Sequence, residues 1–134
     1  HTWSLGDAID LSQRCAVPVV YDTLHHLLHN PYGLSPAMAL GAALDTWPSG
    51  RRPKIHASSP RLNVQVDPHP RTARVLLPRW QEHSDLLHPR DLLEAILPGR
   101  SYDIMIEAKA GDLAVLHLRK QLSRIAPREQ GAVA

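Results

Sequence analysis

Three short apolar segments of this chain each deliver a metal-binding residue type near their C-terminal end. The residues are Asp22, His56 and Glu107, in the runs 17–22, 53–57 and 102–107. A carboxylate oxygen together with an imidazole nitrogen suits divalent ions such as manganese or zinc. In (β/α) barrels the active site is assembled from strand C-termini and the loops that follow them. The pattern therefore predicts one convergent metal centre.

Nearby residues extend the candidate ligand set. His25 follows Asp22 by three residues, so one turn of loop could bring the two side chains together. Lys54 and His56 are two apart on a predicted strand and so face the same way. His25, His26 and His29 form a dense group, of which we expect one or two at most to bind metal. Any one histidine alone is more often structural, whereas charged ligand types at several strand ends favour a metal site.

The elements that must position these residues alternate between helix and strand. Ser4 with Asp7, Ser35 with Pro36, and His88 with Pro89 are N-terminal helix signals, and a last amphipathic helix is predicted from Asp112 to Ile125. The three apolar runs lie between these helices. Such alternation is typical of a parallel sheet with crossover helices. We therefore expect an α/β fold with about three parallel strands, placed within residues 1–126, and a patternless tail at 127–134.

The segment 58–82 interrupts this alternation with no clear helix or strand. Loops of this length inside a compact domain are usually functional or disordered. The segment contains several arginines, and we expect phosphate contacts from Arg71, Arg74 and Arg79 if the loop binds DNA. Trp80 is its one aromatic candidate for stacking on bases, and a core position fits it equally well. The alternative is a solvated insertion.

Composition sets broad limits on function. The 134 residues carry a formal charge of +2 with a sequence pI near 9.0, which favours anionic partners only mildly. One cysteine, Cys15, excludes a disulfide within this sequence and fits a reducing cytoplasm. No apolar run approaches the length of a membrane span, so we expect a cytoplasmic protein.

Four ordered motifs resemble those of the UV damage endonucleases. They read Val-Val-Tyr-Asp-Thr-Leu-His-His, Pro-Lys-Ile-His-Ala-Ser-Ser, His-Ser-Asp and Asp-Ile-Met-Ile-Glu-Ala-Lys, within residues 3–122. The resemblance implies a TIM-barrel nuclease related to apurinic endonucleases of the endonuclease IV type. It implies a cluster of three divalent ions, manganese being typical and zinc an alternative. It also implies a double-stranded DNA substrate containing UV photoproducts, nicked immediately 5′ to the lesion to leave a 3′-hydroxyl and a 5′-phosphate.

The resemblance assigns roles residue by residue. Asp22 and His25 match a ligand pair, His56 matches the ligand of the Lys-Ile-His motif, and Glu107 matches the last carboxylate. Lys54 matches a lysine that is carboxylated in family members. His83 of His-Ser-Asp matches a further ligand, for which His69 is the competing candidate. Asp85 of the same motif is expected to contact a metal ligand and not the metal itself. Asp22, His56 and Glu107 would share one ion, with His25 and His83 on another.

The resemblance also implies that this sequence is the C-terminal half of a TIM barrel. A complete barrel typically needs roughly 250 residues, and the family's remaining ligands lie upstream of these motifs. We therefore expect the 134-residue chain to be inactive alone. No obligate protein partner is evident. Two other functions remain open, a sugar isomerase or epimerase with a similar barrel, and a DNA-binding remnant without catalysis.

Overall fold

The computed structural model describes residues 3–62, 65–67 and 74–125, with only the backbone described at 65–67, 74–76 and 125. The helices are α1 (Leu5–Cys15), α2 (Thr23–Leu28), α3 (Pro36–Leu44), α4 (Pro89–Glu94) and α5 (Asp112–Ile125). The strands are β1 (Lys54–Ala57), β2 (Pro60–Arg61), β3 (Gln65–Asp67), β4 (Arg74–Leu76), β5 (Arg79–His83) and β6 (Asp103–Ile106). Among the described residues, no helix is long and apolar enough to cross a membrane.

Local side-chain chemistry fixes where the helices begin. Ser4 and Asp7 form a reciprocal capping box at the start of α1, as the sequence predicts. Ser35 caps α3 through the Met38 N–H, with Pro36 at the first helical turn, and α5 has its predicted bounds. Helix α4 is shorter than its pattern suggests, because it ends at Glu94 with Ala95 as the C-cap.

A small parallel sheet positions the three predicted ligand segments. Strands β1 and β6 pair in parallel from Lys54 opposite Asp103 to Ala57 opposite Ile106. Asp22 forms an isolated parallel bridge to His56, and the Tyr21 carbonyl accepts the His56 N–H at 2.8 Å. The segment ending at Asp22 therefore lies on one side of β1 and β6 lies on the other.

The prediction of a full strand over 17–22 is wrong for its first residues. Only Asp22 carries strand pairing, whereas the backbone of Val19 is bonded by side chains that follow α3. The Val19 N–H donates to Thr46 Oγ1 at 2.8 Å, and the Val19 carbonyl accepts Trp47 Nε1 at 2.8 Å. These side chains take the hydrogen bonds that a neighbouring strand would otherwise make.

The segment 58–82 is also more ordered than the sequence suggests. Strands β2 and β5 pair antiparallel around Pro60 opposite His83, and β3 pairs antiparallel with β4. Pro60 opens β2, and proline is compatible with edge strands and irregular pairings. The expectation of a structureless insertion is therefore corrected to one with two antiparallel pairs. The predicted tail 127–134 lies outside the described residues.

The core lies on one face of β1 and the candidate ligands lie on the other. Ile55 and Ala57 are fully buried against α3, whereas Lys54 and His56 alternate to the opposite face. The other buried apolar residues of this core are Tyr21, Ala39, Leu40, Ala43, Leu44, Leu87, Leu92, Ala95 and Leu118. Burial of this face determines which side chains β1 can present to the site.

Candidate metal centre

The two carboxylate oxygens of Asp22 have different surroundings. Oδ1 caps α2 by accepting the His25 N–H at 2.9 Å and lies 3.4 Å from Ser58 Oγ. The Asp22 side chain is only 8% exposed, and its Oδ2 is buried without a hydrogen-bond partner among the described residues. Buried carboxylate oxygens normally have a partner. One oxygen therefore orients the side chain, and the other remains for a ligand.

The Oδ2 atom faces two other predicted ligands. His56 Nδ1 lies 3.9 Å from Asp22 Oδ2 and 2.6 Å from Glu107 Oε1. One ligand atom from each of Asp22, His56 and Glu107 falls within 4.8 Å of the others. Atoms bound to one ion at about 2.2 Å lie within roughly 4.4 Å of each other. Shifts of a few tenths of an ångström would allow a shared ion.

Backbone pairing brings these residues together from distant parts of the chain. The Glu107 N–H donates to the Ala57 carbonyl at 3.0 Å, which continues the β1–β6 ladder past its last paired residues. Thr23 and Ser58 form a second link, between the start of α2 and the end of β1. Thr23 Oγ1 donates to the Ser58 carbonyl and accepts the Ser58 N–H, both at 3.0 Å. The sequence alone does not indicate this link, although Ser58 belongs to the Pro-Lys-Ile-His-Ala-Ser-Ser motif.

His25 and His83 lie at opposite ends of this group. His25 Nδ1 is 4.0 Å from Asp22 Oδ2, and its side chain is largely exposed. His83 Nε2, at the end of β5, is 3.7 Å from Glu107 Oε2. The two Glu107 oxygens therefore face different histidines, His56 and His83. A carboxylate in this position has the geometry to bridge two ions.

Other predicted site residues are more peripheral. Lys54 is exposed and lies two residues before His56 on the same face of β1, about 6.6 Å along the strand. The carbonyl of Asp85 accepts the Ala110 N–H at 3.1 Å, and its side chain is exposed. The carboxylation of Lys54 remains a prediction, as does the contact of Asp85 with a metal ligand.

The predicted DNA contacts are only partly within the described structure. His69 and Arg71 lie outside the described residues, and Arg74 is described in its backbone alone. Arg79 donates to Glu82 Oε1 at 2.7 Å. Trp80 is 58% exposed, so the core position that the sequence left open is wrong. It lines a cavity of about 640 Å³ between the insertion, α4 and α5.

The electrostatics near the site come mainly from burial and ion pairing. Burial raises the pKa of the Tyr21 phenol, and the negative charges of Glu94 and Asp22 raise it further. Tyr21 is therefore an uncharged neighbour of Asp22 at neutral pH. The residues present fit a divalent ion, because a buried Asp22 oxygen without a hydrogen bond adjoins an imidazole and a second carboxylate.

A parallel sheet whose strand ends gather two carboxylates and an imidazole is typical of metal-dependent α/β enzymes. The chain belongs to the UV-endonuclease UvdE family, whose sequence profile matches residues 1–133. This membership favours the DNA-repair interpretation of the motifs over the sugar isomerase alternative.

Similar proteins include two named UV DNA damage endonuclease. That of Bacillus pumilus (strain SAFR-032) is 31% identical over 126 residues, and that of Bacillus cereus (strain G9842) is 30% identical over 126 residues. Each alignment covers 92% of this chain and 36% of the relative. The crystal structure of SacUVDE matches with a TM-score of 0.64 at 25% identity, over 90% of this chain and 36% of that one. This chain thus spans about a third of the length of these relatives.

Proposed function

We propose that this chain supplies part of the metal centre of an endonuclease that nicks DNA immediately 5′ to UV photoproducts. The proposed products are a 3′-hydroxyl and a 5′-phosphate. The observation that supports it most strongly is the convergence of Asp22, His56 and Glu107 at the ends of adjacent parallel segments. In a member of the UV-endonuclease UvdE family, this is the chemistry that phosphodiester cleavage requires.

The metal assignment is a cluster of divalent ions, three manganese ions in the complete enzyme, with zinc as the alternative. Asp22, His56 and Glu107 would hold one ion. The assignment of His25 and His83 to a second, shared ion stays a prediction from the resemblance, and it would need these two side chains to approach from opposite ends of the group. Bound ions would supply Lewis acidity, a water of lowered pKa and charge neutralisation at the phosphate. The separate contacts of the two Glu107 oxygens with His56 and His83 support a bridging role for Glu107.

The protein's own contribution is to fix ligand directions. The hydrogen bond from the α2 backbone to Asp22 Oδ1 turns Oδ2 toward the imidazoles. The ladder between β1 and β6 sets Glu107 beside His56. Lys54, once carboxylated, would add an anion on the same face of β1. Such preorganised ligands bind without a large rearrangement of the backbone.

We infer that the architecture is the C-terminal half of a TIM barrel, with the remaining strands supplied by the rest of the protein. Two features support this inference: parallel pairing of β1 with β6, and the helices that directly follow two of the ligand segments, α2 after Asp22 and α5 after β6. The proposed partner is double-stranded DNA containing photoproducts. Arg71, Arg74 and Arg79 are proposed phosphate contacts.

A nicking assay on supercoiled plasmid tests the function. The natural full-length protein with Mn²⁺ should convert UV-irradiated plasmid to the open circular form and leave unirradiated plasmid supercoiled. Sequencing-gel analysis of a defined photoproduct duplex should place the nick immediately 5′ to the lesion. Equal nicking of both plasmids, or no nicking with Mn²⁺ or Zn²⁺, would refute the proposal. The 134-residue chain alone should show no incision.

A further inference from the structure

Glu82, next to the predicted ligand His83, is surrounded by three cationic side chains. Its Oε1 accepts Arg79 Nη1 at 2.7 Å, and its Oε2 lies 3.1 Å from Lys109 Nζ and 3.0 Å from Arg61 Nη2. We call these four residues the Glu82 cluster. One carboxylate among three cations leaves two positive charges in excess. The sequence analysis missed this cluster, because its members come from β2, β5 and the segment after β6.

The carboxylate stays ionised within the cluster. Hydrogen bonds from Arg79 and Lys109 lower the pKa of Glu82, and the charge of Arg61 lowers it further, against a smaller opposing effect of desolvation. The contact distances place the Glu82 carboxylate between the three cations. It neutralises only one of them.

Arg61 is the buried member of the cluster. It is 3% exposed, and its Nε is buried without a hydrogen-bond partner in the described part of the chain. A guanidinium offers five N–H donors, and buried donors are normally satisfied. A fixed, incompletely paired guanidinium raises the positive potential of this surface and favours an anion there.

Arg79 and Lys109 carry the accessible donors of the same cluster. Their side chains are 67% and 46% exposed, so each keeps N–H groups that Glu82 does not use. Lys109 is held to the β5 side by its own backbone, because its N–H donates to the Ser84 carbonyl at 3.0 Å. Arg79 and Lys109 therefore both contact Glu82, and both remain exposed to solvent.

The Glu82 cluster borders the candidate metal centre on two sides. Glu82 precedes His83, and Lys109 follows Glu107 by two residues. His83 and Glu107 approach within 3.7 Å. A nucleic-acid strand whose scissile phosphate lies at the metal centre would bring a neighbouring phosphate toward this surface.

We propose that Arg79 and Lys109 bind one backbone phosphate of the DNA strand, with Arg61 as a buried supporting charge and Glu82 as the residue that orients all three. The inference rests on the proposed function. Contacts to phosphate position a protein on DNA without reading sequence, and arginine and lysine make them most often. The site would therefore hold the strand in place without selecting the lesion.

Salt-dependent DNA binding by the natural full-length protein tests the site. Arg79→Gln and Lys109→Gln should each flatten the log–log salt slope by about 0.9, and together lower affinity on the order of 10-fold. Irradiated and unirradiated duplexes should be affected equally. Arg79→Lys should recover most of the slope, because it restores the charge. Arg14→Gln is the matched control, since Arg14 is an exposed arginine paired with Asp10 on α1.

The outcomes separate this site from the proposed function. An unchanged slope in both Gln variants, with binding otherwise intact, overturns the phosphate site and leaves the metal centre unaffected. A flattened slope in the Arg14 control would also overturn it, because the effect would then reflect overall charge. Normal salt-dependent binding without any incision would refute the proposed nuclease function and leave the phosphate site supported.

Discussion

The candidate metal centre and the Glu82 cluster lie side by side but are built in different ways. In the metal centre, backbone pairing across three distant segments sets Asp22, His56 and Glu107 together. In the Glu82 cluster, one carboxylate gathers cations from an antiparallel pair and a loop. Geometry in the first region therefore depends on the sheet, whereas geometry in the second depends on ion pairing.

Burial sharpens this contrast. The Asp22 side chain, which carries the unpaired oxygen, is 8% exposed, whereas Arg79, which carries accessible donors of the Glu82 cluster, is 67% exposed. Charges near the surface are screened by salt, and buried charges are screened much less. The metal centre should therefore respond to single-atom changes in its ligands, and the Glu82 cluster should respond to ionic strength.

The largest effect should come from Glu107→Gln in the natural full-length protein. An amide is a poorer ligand and adds no negative charge, so Mn²⁺ affinity and nicking should fall by about 100-fold or more. The fold should persist, because the Glu107 backbone N–H makes the ladder bond to Ala57. Titration calorimetry with Mn²⁺, circular dichroism and plasmid nicking measure the three quantities.

Glu94→Gln makes the same change in charge on α4 and serves as its control, since Glu94 is outside the group that gathers around His56. It should leave Mn²⁺ affinity and nicking unchanged. Wild-type nicking by the Glu107→Gln protein would remove Glu107 from the ligand set. The metal centre would then need a different carboxylate.

Lys54→Arg should have the next largest effect, on the order of 10-fold in nicking, if Lys54 is carboxylated. A guanidinium cannot form a carbamate, so the substitution keeps the charge of an unmodified lysine and replaces the predicted anion by a cation. Carbon-13 NMR after growth with labelled bicarbonate should show a carbamate signal in the wild type that is missing in the variant. Full activity of the variant would show that β1 contributes His56 alone to the centre.

The ligand segments were predictable from the sequence because metal-binding residue types end short apolar runs. Asp22, His56 and Glu107 each meet that description. The helix caps at Ser4 and Ser35 were also predictable, because a cap depends only on residues within the first helical turn. The Glu82 cluster was not predictable, because which arginine meets Glu82 depends on pairing between β2 and β5. Pro60 opens β2, and because proline is depleted in strands, composition alone does not indicate a strand there.

Two further deviations have different causes. The run 17–21 has strand-like composition, but Thr46 and Trp47 take the backbone hydrogen bonds of Val19. His25 was expected on a loop, whereas it lies in the first turn of α2, which Asp22 itself caps. Contacts distant in sequence decided the first conformation, and a local cap three residues away decided the second.

A smaller effect should follow from Thr23→Val, which removes both hydrogen bonds to Ser58 while keeping the shape of the side chain. Loss of a buried pair of this kind should cost about 1–2 kcal/mol of stability. Because Thr23 follows Asp22 directly, Mn²⁺ affinity should also fall by about 10-fold. Chemical denaturation and metal titration measure the two effects.

Thr46→Val is the matched control for this change. Thr46 also accepts a backbone N–H, from Val19, and donates to a carbonyl, that of Ala43. The control should lose similar stability and keep normal Mn²⁺ affinity. Equal loss of metal affinity in both variants would mean that general stability, and not the link from α2 to β1, positions Asp22.

The smallest effect should come from Ala16→Gly at the end of α1, away from both regions. Ala16 has φ 55° and ψ 34°, the left-handed conformation in which an L-residue is strained. Glycine relieves that strain at some cost in unfolded-state entropy, so stability should rise by about 0.5 kcal/mol. Mn²⁺ affinity should not change. Combined with Thr23→Val, it should recover part of the lost stability and none of the lost metal affinity. Recovery of both would show that the metal centre is limited by global stability and not by the Thr23–Ser58 link.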